Sequence, residues 1–359
     1  MTRTIRVLGT GAILAGSLAI PGQISGQTEI SARSATVRLG GRLHTQLATS
    51  SAESGKSFDF FNRRARLTVD VVVNDFLDAR VQPDFGGGGI DLKDAYFRMS
   101  FTPAFRLSFG QFKRSFDLFE LDSSTDMVVV ERTGRISGVG DCTGVGGVCS
   151  LSRFTEALAY SDRDAGIKID GSLDRGISYE VTLTNGTGTR GADENSGKSF
   201  AGRLSFEVSE GVVFSGNLSH HDYPQGDETG RATAFGADLD IGDFRDGTHF
   251  QFGVIAGENW LAEDPATGDG PTFVTAQAIL SHYVPLSGSE GRFEAVEPVA
   301  RVSWGDPDTD GVSDGGVLFT PGVFLYVLGR NRIGASMDIY SPQTGDTEFG
   351  LKIQTFLYY

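Results

Sequence analysis

From Ala35 to the last residue, apolar and polar side chains alternate with a period of two, the pattern of strands with one wet and one apolar face. In "ATVRLGGRLHTQL" one face carries Val37, Leu39, Leu43 and Leu47, and the other Arg38, Arg42, His44 and Gln46. "RRARLTVDVVVND" sets Leu67, Val69, Val71 and Val73 against Arg64, Arg66, Thr68 and Asp70. "DAYFRMSF" opposes Ala95, Phe97, Met99 and Phe101 to Asp94, Tyr96, Arg98 and Ser100. The chain ends "FGLKIQTFLYY", with Phe349, Leu351, Ile353, Leu357 and Tyr359 on one side and Lys352, Gln354, Phe356 and Tyr358 on the other.

Segments of this kind predict about sixteen strands, near 35–49, 60–74, 77–84, 93–101, 104–112, 165–172, 176–185, 198–208, 211–221, 231–241, 248–259, 272–283, 294–304, 317–328, 331–340 and 348–359. Their connections differ by parity. Short turns such as "ND", "TP", "DRG", "SE" and "GR" follow even strands, while longer polar loops such as 50–59, 186–197, 261–271 and 306–316 follow odd ones. Short turns at one end and long loops at the other are expected of an outer-membrane β-barrel with its short turns in the periplasm. A barrel also accounts for an aromatic last residue. The final strand pairs with the first so that no backbone group is left open in lipid, and its aromatic end reaches the interfacial girdle.

Composition agrees with an all-β reading. The 359 residues include 26 Phe and 49 Gly but 4 Met, which favours strands and tight turns over helices. The first residues, "MTRTIRVLGTGAILAGSLAIPGQISGQ", place Arg3 and Arg6 before a short apolar stretch and small residues, as a cleaved secretory signal does. The reading is a signal over 1–26 and a barrel over 27–359. Without Arg3 and Arg6 the chain holds 29 basic and 46 acidic residues, a net charge of −17 that speaks against nucleic acid as a partner.

One connection is out of scale. Residues 113–164 form the third external loop by this count, and loops of such length in compact domains are usually functional or disordered. It carries the apolar run Met127–Val130, the cations Lys113, Arg114, Arg132, Arg135, Arg153 and Arg163, and "GDCTGVGGVCSL". In an exported chain Cys142 and Cys149 point to a local disulfide. With its apolar anchors the loop is expected to fold into the lumen and narrow it.

The sequence resembles the phosphate-selective porins O and P of Gram-negative outer membranes. The likeness rests on "FFNRRARLTVD", "LKDAYFRMSFTPAFRLSFGQFKRSFDLFELDSS", "ERT", "RDAGIKIDG", "YEVTLTNGTG", "EPVARVSWGD" and "LKIQTFLYY", and is most specific between Arg63 and Glu131. It implies a sixteen-stranded homotrimeric barrel in outer-membrane lipid, with the third loop turned inward and basic residues guiding small anions. Carried over by position, the ion pathway comprises Lys113 and Arg114 at the mouth, Arg132 and Arg135 in the loop, and Arg38, Arg42, Arg64, Arg66 and Arg98 on the lumenal face. Guanidinium groups bind phosphate oxygens two at a time, which is the chemistry such a track needs. Lumenal acids, Asp70, Asp94, Glu180 and Glu207 among them, can pair with these arginines and leave a general or cation-leaning porin instead.

"DPDTDGVSD" spaces Asp306, Asp308, Asp310 and Asp314 as in a calcium loop, although Val317 stands where the final bidentate acid belongs. A structural Ca²⁺ there would suit a second reading, a plugged adhesive or structural barrel with Ca²⁺-binding loops. No other cofactor motif is present: "DFGGGGIDL" is followed by no Lys-Ser/Thr and no helix. His220 and His221 are adjacent on a strand and face opposite ways. His249 and His282 fall on neighbouring strands without a nucleophile elbow, so no catalytic site is expected.

Overall fold

The computed structural model describes residues 28–32, 35–51, 58–132, 150–189, 196–225, 228–262, 270–286, 292–311 and 315–359. The expected signal peptide, Arg135, the Cys142–Cys149 pair and Asp314 lie outside them.

The alternating segments form one closed antiparallel sheet. Its strands are β1 (Ala35–Thr49), β2 (Phe58–Val72), β3 (Leu77–Asp84), β4 (Asp91–Thr102), β5 (Phe105–Lys113), β6 (Arg163–Leu173), β7 (Ile177–Thr184) and β8 (Ser199–Ser209). The second half comprises β9 (Val212–Gln225), β10 (Glu228–Asp243), β11 (Asp246–Glu258), β12 (Thr272–His282), β13 (Ala295–Asp306), β14 (Gly316–Leu328), β15 (Asn331–Pro342) and β16 (Glu348–Tyr358). Each pairs with its sequence neighbours, and β16 returns to β1. Every expected strand is present. The largest shift is in β9, which runs on to Gln225 rather than stopping near 221. Two short pieces extend the wall: Thr28–Ala32 pairs with Ala35–Leu39, and Val284–Pro285 with Ala295–Val296. Among the described residues no helix is long and apolar enough to cross a membrane.

Exposure identifies the two faces. In β16, Phe349, Leu351, Ile353 and Leu357 are exposed, whereas Lys352, Gln354 and Phe356, set between them, are buried. The outward face is a continuous apolar belt, which suits lipid. The closing seam pairs Leu357 with Leu43 and Tyr358 with Arg42. Tyr359 completes it: Gly41 donates to its carbonyl at 2.7 Å, and its own N–H returns to Gly41 O at 3.2 Å. Of the three terminal aromatics, Phe356 and Tyr358 turn inward rather than to the girdle. Phe356 is 2% exposed and lies 4.7 Å from the His44 ring, while the Tyr358 hydroxyl donates to Ser124 O at 3.2 Å.

The connection between β5 and β6, Arg114–Asp162, carries two short helices, α1 (Leu118–Leu121) and α2 (Leu151–Ala157). Its apolar residues Phe116, Phe119, Val128–Val130, Leu151, Phe154 and Leu158 form one buried cluster with Ile255, Phe273, Ile279, Val299, Phe324 and Phe356 of β11 to β16. The inward side chains of β11 to β16 are accordingly buried, whereas those of β3 and β4 stay partly open to water. The β12–β13 connection, 283–294, is longer than the other even-numbered turns.

The seam depends on the missing side chain of Gly41. A Cβ there would meet Arg66 O and the Tyr359 ring at 2.5 Å. Gly41→Val is expected to displace Tyr359 and fray the end of β16, so that amide exchange at residues 356–359 rises at least tenfold. Barrels carrying G41V should also lose their folded gel mobility at a lower temperature than the parent.

Candidate permeation path

Each strand of β1 to β7 presents its polar face inward, and cross-strand neighbours place opposite charges side by side. Arg66 Nε meets Asp84 at 2.6 Å, and Arg80 holds Asp70 through Nε at 2.7 Å and Nη2 at 3.1 Å. Arg98 Nε meets Asp78 at 3.0 Å, Arg163 Nε meets Asp94 at 2.7 Å, and Lys168 meets Glu180 at 2.5 Å. Arg106 pairs with Asp170.

These side chains surround a cavity of about 350 Å³, bounded by β1 to β7 on one side and by Leu121, Ser123, Ser124 and Arg132 of the long connection on the other. Seven arginines and two lysines line it, against the acids Asp94, Asp170 and Glu180. Arg42 differs from its neighbours: its guanidinium donates to Ser124 Oγ at 2.5 Å, and among the described residues no carboxylate pairs with it. A second cavity of about 420 Å³ lies toward the β2–β3 turn and is balanced, with Arg38, Arg80 and Arg98 facing Asp70, Asp75 and Asp78. Arg80, Tyr96 and Arg98 line both.

The cations expected along a track therefore divide. Arg42, Arg66, Arg98, Lys113 and Arg132 line the first cavity, and Arg38 the second. Lys113 also donates to the carbonyls of Glu120 and Asp122. Arg64 and Arg114 line neither. Arg64 is 2% exposed and bonds the Glu131 carboxylate twice, at 2.9 and 3.3 Å. Arg114 gives its donors to Ala159 O and to His220 O, the latter at 3.2 Å. Arg80, Arg106, Arg163 and Lys168 were not on the expected track although they line the first cavity. The alternation in "LDARVQPD", "FRLSFGQF" and "RDAGIKIDG" places Arg80, Arg106 and Lys168 on the lumenal face, whereas Arg163, at the start of β6, has the opposite parity to Lys168 and alternation gives no sign of its place in the lining. In the acidic loop, Asp306 accepts from Asp308 N at 3.1 Å and Asp308 from Asp310 N at 3.0 Å, and among the described residues no three His, Cys, Asp or Glu converge as metal ligands.

A sheet closed on itself, with an apolar exterior and a charged, water-filled interior, is a porin-type channel of the outer membrane. The chain belongs to the family of phosphate-selective porins O and P, whose model matches residues 37–241. It is thus a channel of the Gram-negative outer membrane, and neither its fold nor its family is that of an enzyme. No curated protein sequence matches it. Among solved structures it is similar to an anion-selective porin from Comamonas acidovorans, with 12% identity over 90% of this chain and 100% of that one, and a TM-score of 0.64. It is also similar to the outer-membrane channel DcaP of Acinetobacter baumannii, 12% identical over 91% and 99% of the two chains, TM-score 0.60. The trimer form of OmpT, an outer-membrane protein of Vibrio cholerae, is 14% identical over 90% and 100%, TM-score 0.56.

Carboxyl groups set the packing of the long connection. Asp117 caps α1, accepting from Phe119 N at 3.0 Å, and ties it to α2 by accepting from Thr155 Oγ1 at 2.8 Å. Burial pushes Asp117 up to about 7 and Asp122 up to about 6. Burial, with the charge of Glu120 beside it, raises Glu156 as well. Against the cost of their own burial, Arg132 and Lys113 hold Glu120 down at about 2, and Arg63 and Arg64 hold Glu131 well below the usual carboxylate range. A carboxyl whose pKa is raised in the folded state favours folding while protonated, and that contribution fades as pH rises through the folded value. Glu120 and Glu131 act oppositely, and their contribution fades only as pH falls below about 4 toward 2. Amide exchange of residues 118–121 and 151–157, corrected for intrinsic rates, is expected to quicken as pH rises from about 4 to 8. Asp117→Asn should reduce that slope by roughly the share of one proton.

Proposed function

We propose that the protein is a passive channel that admits small hydrophilic solutes and favours anions, and that the passage runs off-axis along the β1–β7 wall. The long connection, packed over the remaining wall, narrows it. The observation that carries this reading is the lining of the first cavity, nine basic groups against three acids. Of the acidic partners of Arg66, Arg80, Arg98 and Lys113, Asp84 and Glu120 are buried and line neither cavity, and Asp70 and Asp78 line the second one instead. An anion entering this space exchanges part of its hydration for aligned N–H donors, and adjacent stations let it leave again. The similarity to an anion-selective porin agrees with this preference, and the trimer form of another similar barrel makes a homotrimer the assembly to test.

A weakly selective porin is the second reading, favoured by the balanced charges of the second cavity. Reversal potentials in a KCl gradient across planar bilayers separate the two. Steady conductance with a reversal potential on the chloride side is expected, with block by added phosphate. A charge about 7 Å away in a largely aqueous passage is worth about 1 kcal/mol, so Arg42→Gln should lower the anion-to-cation permeability ratio about fivefold. A plugged barrel would give no steady current. An R42Q channel with unchanged selectivity would remove the cavity that Arg42 lines from the pathway.

A further inference from the structure

The connection between β5 and β6 leaves the sheet, so its backbone carbonyls have no strand to pair with, and buried carbonyls without donors are costly. The wall supplies the donors. Arg301 Nη1 donates to Glu131 O at 2.9 Å and Arg132 O at 3.0 Å, and the Tyr358 hydroxyl donates to Ser124 O. Arg332 on β15 donates through Nη1 to Thr125 O at 3.1 Å and through Nη2 to Met127 O at 2.7 Å.

Arg332 stands apart from the other donors. Arg301 also bonds Thr320 and Asp338 and so belongs to the fabric of the wall. Among the described residues every side-chain hydrogen bond of Arg332 goes to the connection, and no carboxylate pairs with it. Its guanidinium is 4.6 Å from the ring centre of Phe356, 5.0 Å from Phe324 and 5.1 Å from Phe244. The negative ring faces stabilise its charge in a dry site and hold the fork in one orientation. The residue is 2% exposed and lies outside the cavity lining, so its charge is not presented to a passing ion. Ser123 and Ser124, which do line the passage, immediately precede the carbonyls it grips.

We infer that Arg332 is a positioning residue for permeation: by clamping the Thr125 and Met127 carbonyls to the wall it fixes the Ser123–Ser124 lip and thereby the width of the passage. The inference rests on reading the β1–β7 cavity as the path. It separates two roles for one side chain, gripping backbone and filling space among rings, and these respond differently to substitution.

Arg332→Met keeps length and apolar contact with the rings but deletes both donors. Phe356→Leu disturbs the ring cage and keeps the donors. Single-channel recording in planar bilayers, with heat-modified gel mobility to confirm folding, reads both. R332M is expected to raise unit conductance about twofold and to increase open-state current noise, with a smaller anion preference because Arg132 moves with the lip. F356L should lower the unfolding temperature and leave conductance within about a fifth of the parent. If R332M does not fold, R332K replaces it; one ammonium in place of a two-pronged fork should give intermediate noise. Parent-like conductance and noise in a folded R332M or R332K channel would overturn the inference, as would an F356L channel that matches R332M. The R42Q result distinguishes this failure from that of the path itself. If R42Q shifts selectivity while R332M changes nothing, the path stands and the clamp falls.

Discussion

Every backbone N–H and C=O of this protein that is shut away from water must be paired, and that requirement shapes both the wall and what lies against it. In the wall it produces closure: β16 lies on β1, and Gly41 makes room for the last residue to join the ladder from both its N–H and its carbonyl. Off the wall it produces a different solution. The stretch from Ser124 to Arg132 has no strand beside it, and its carbonyls are met by Arg301, Arg332, Gln354 and Tyr358. Because these bonds read backbone rather than side chains, the path of the connection is set by where donors stand on β13, β15 and β16.

Arginine consequently does three jobs inside one barrel. Across neighbouring strands it pairs with acids, as Arg66 does with Asp84. Behind the connection it serves as a donor to carbonyls, with its charge screened by rings or by Asp338. Around the cavity that Arg42 lines it faces water. Arg64 and Glu131 are both almost fully buried, and such a pair is a poor source of net stability but expensive to break from one side. It therefore holds the connection in a single placement rather than adding much to the stability of the wall.

The strands were legible because a period of two is a direct projection of barrel geometry onto the chain. Leu351, Lys352, Ile353 and Gln354 alone suffice to assign both faces of β16. The parity of loop lengths likewise disclosed the barrel's two ends, apart from the long connection after β12 and the two-residue connection after β9. Alternation says which face a residue occupies, however, and not what covers that face. Ile279, Val299, Phe324 and Phe356 are apolar residues pointing inward, an apparent defect in the pattern until the apolar run Met127–Val130 is seen against them. Arg64, Arg114, Arg301 and Arg332 are indistinguishable in type from Arg42 and Arg98. Their separate roles depend on contacts more than sixty residues away in the chain, such as Arg64 with Glu131 and Arg332 with Met127. The terminal aromatics misled for a related reason: a Tyr near a strand end suits a lipid interface, yet Tyr358 finds its hydroxyl partner inside, on the Ser124 carbonyl.

An acidic chain with a basic passage is no contradiction once the placement of its acids is followed. The sequence holds 46 acidic residues against 31 basic ones, yet bulk charge acts at long range through a salt solution, where it is screened within about 10 Å. The local arrangement is what an ion in the lumen experiences. Arg80 spends Nε and one Nη2 proton on Asp70, and Arg98 and Arg163 each direct Nε at a carboxylate. A guanidinium has five N–H donors in a rigid plane, so each of these pairs leaves several N–H groups free for other partners. The carboxylates thus act less as neutralisers than as anchors that orient the forks and remove the rotamer freedom an anion would otherwise have to restrict. Arg42, gripping a serine hydroxyl instead of an acid, is the point where orientation is kept without a compensating negative charge.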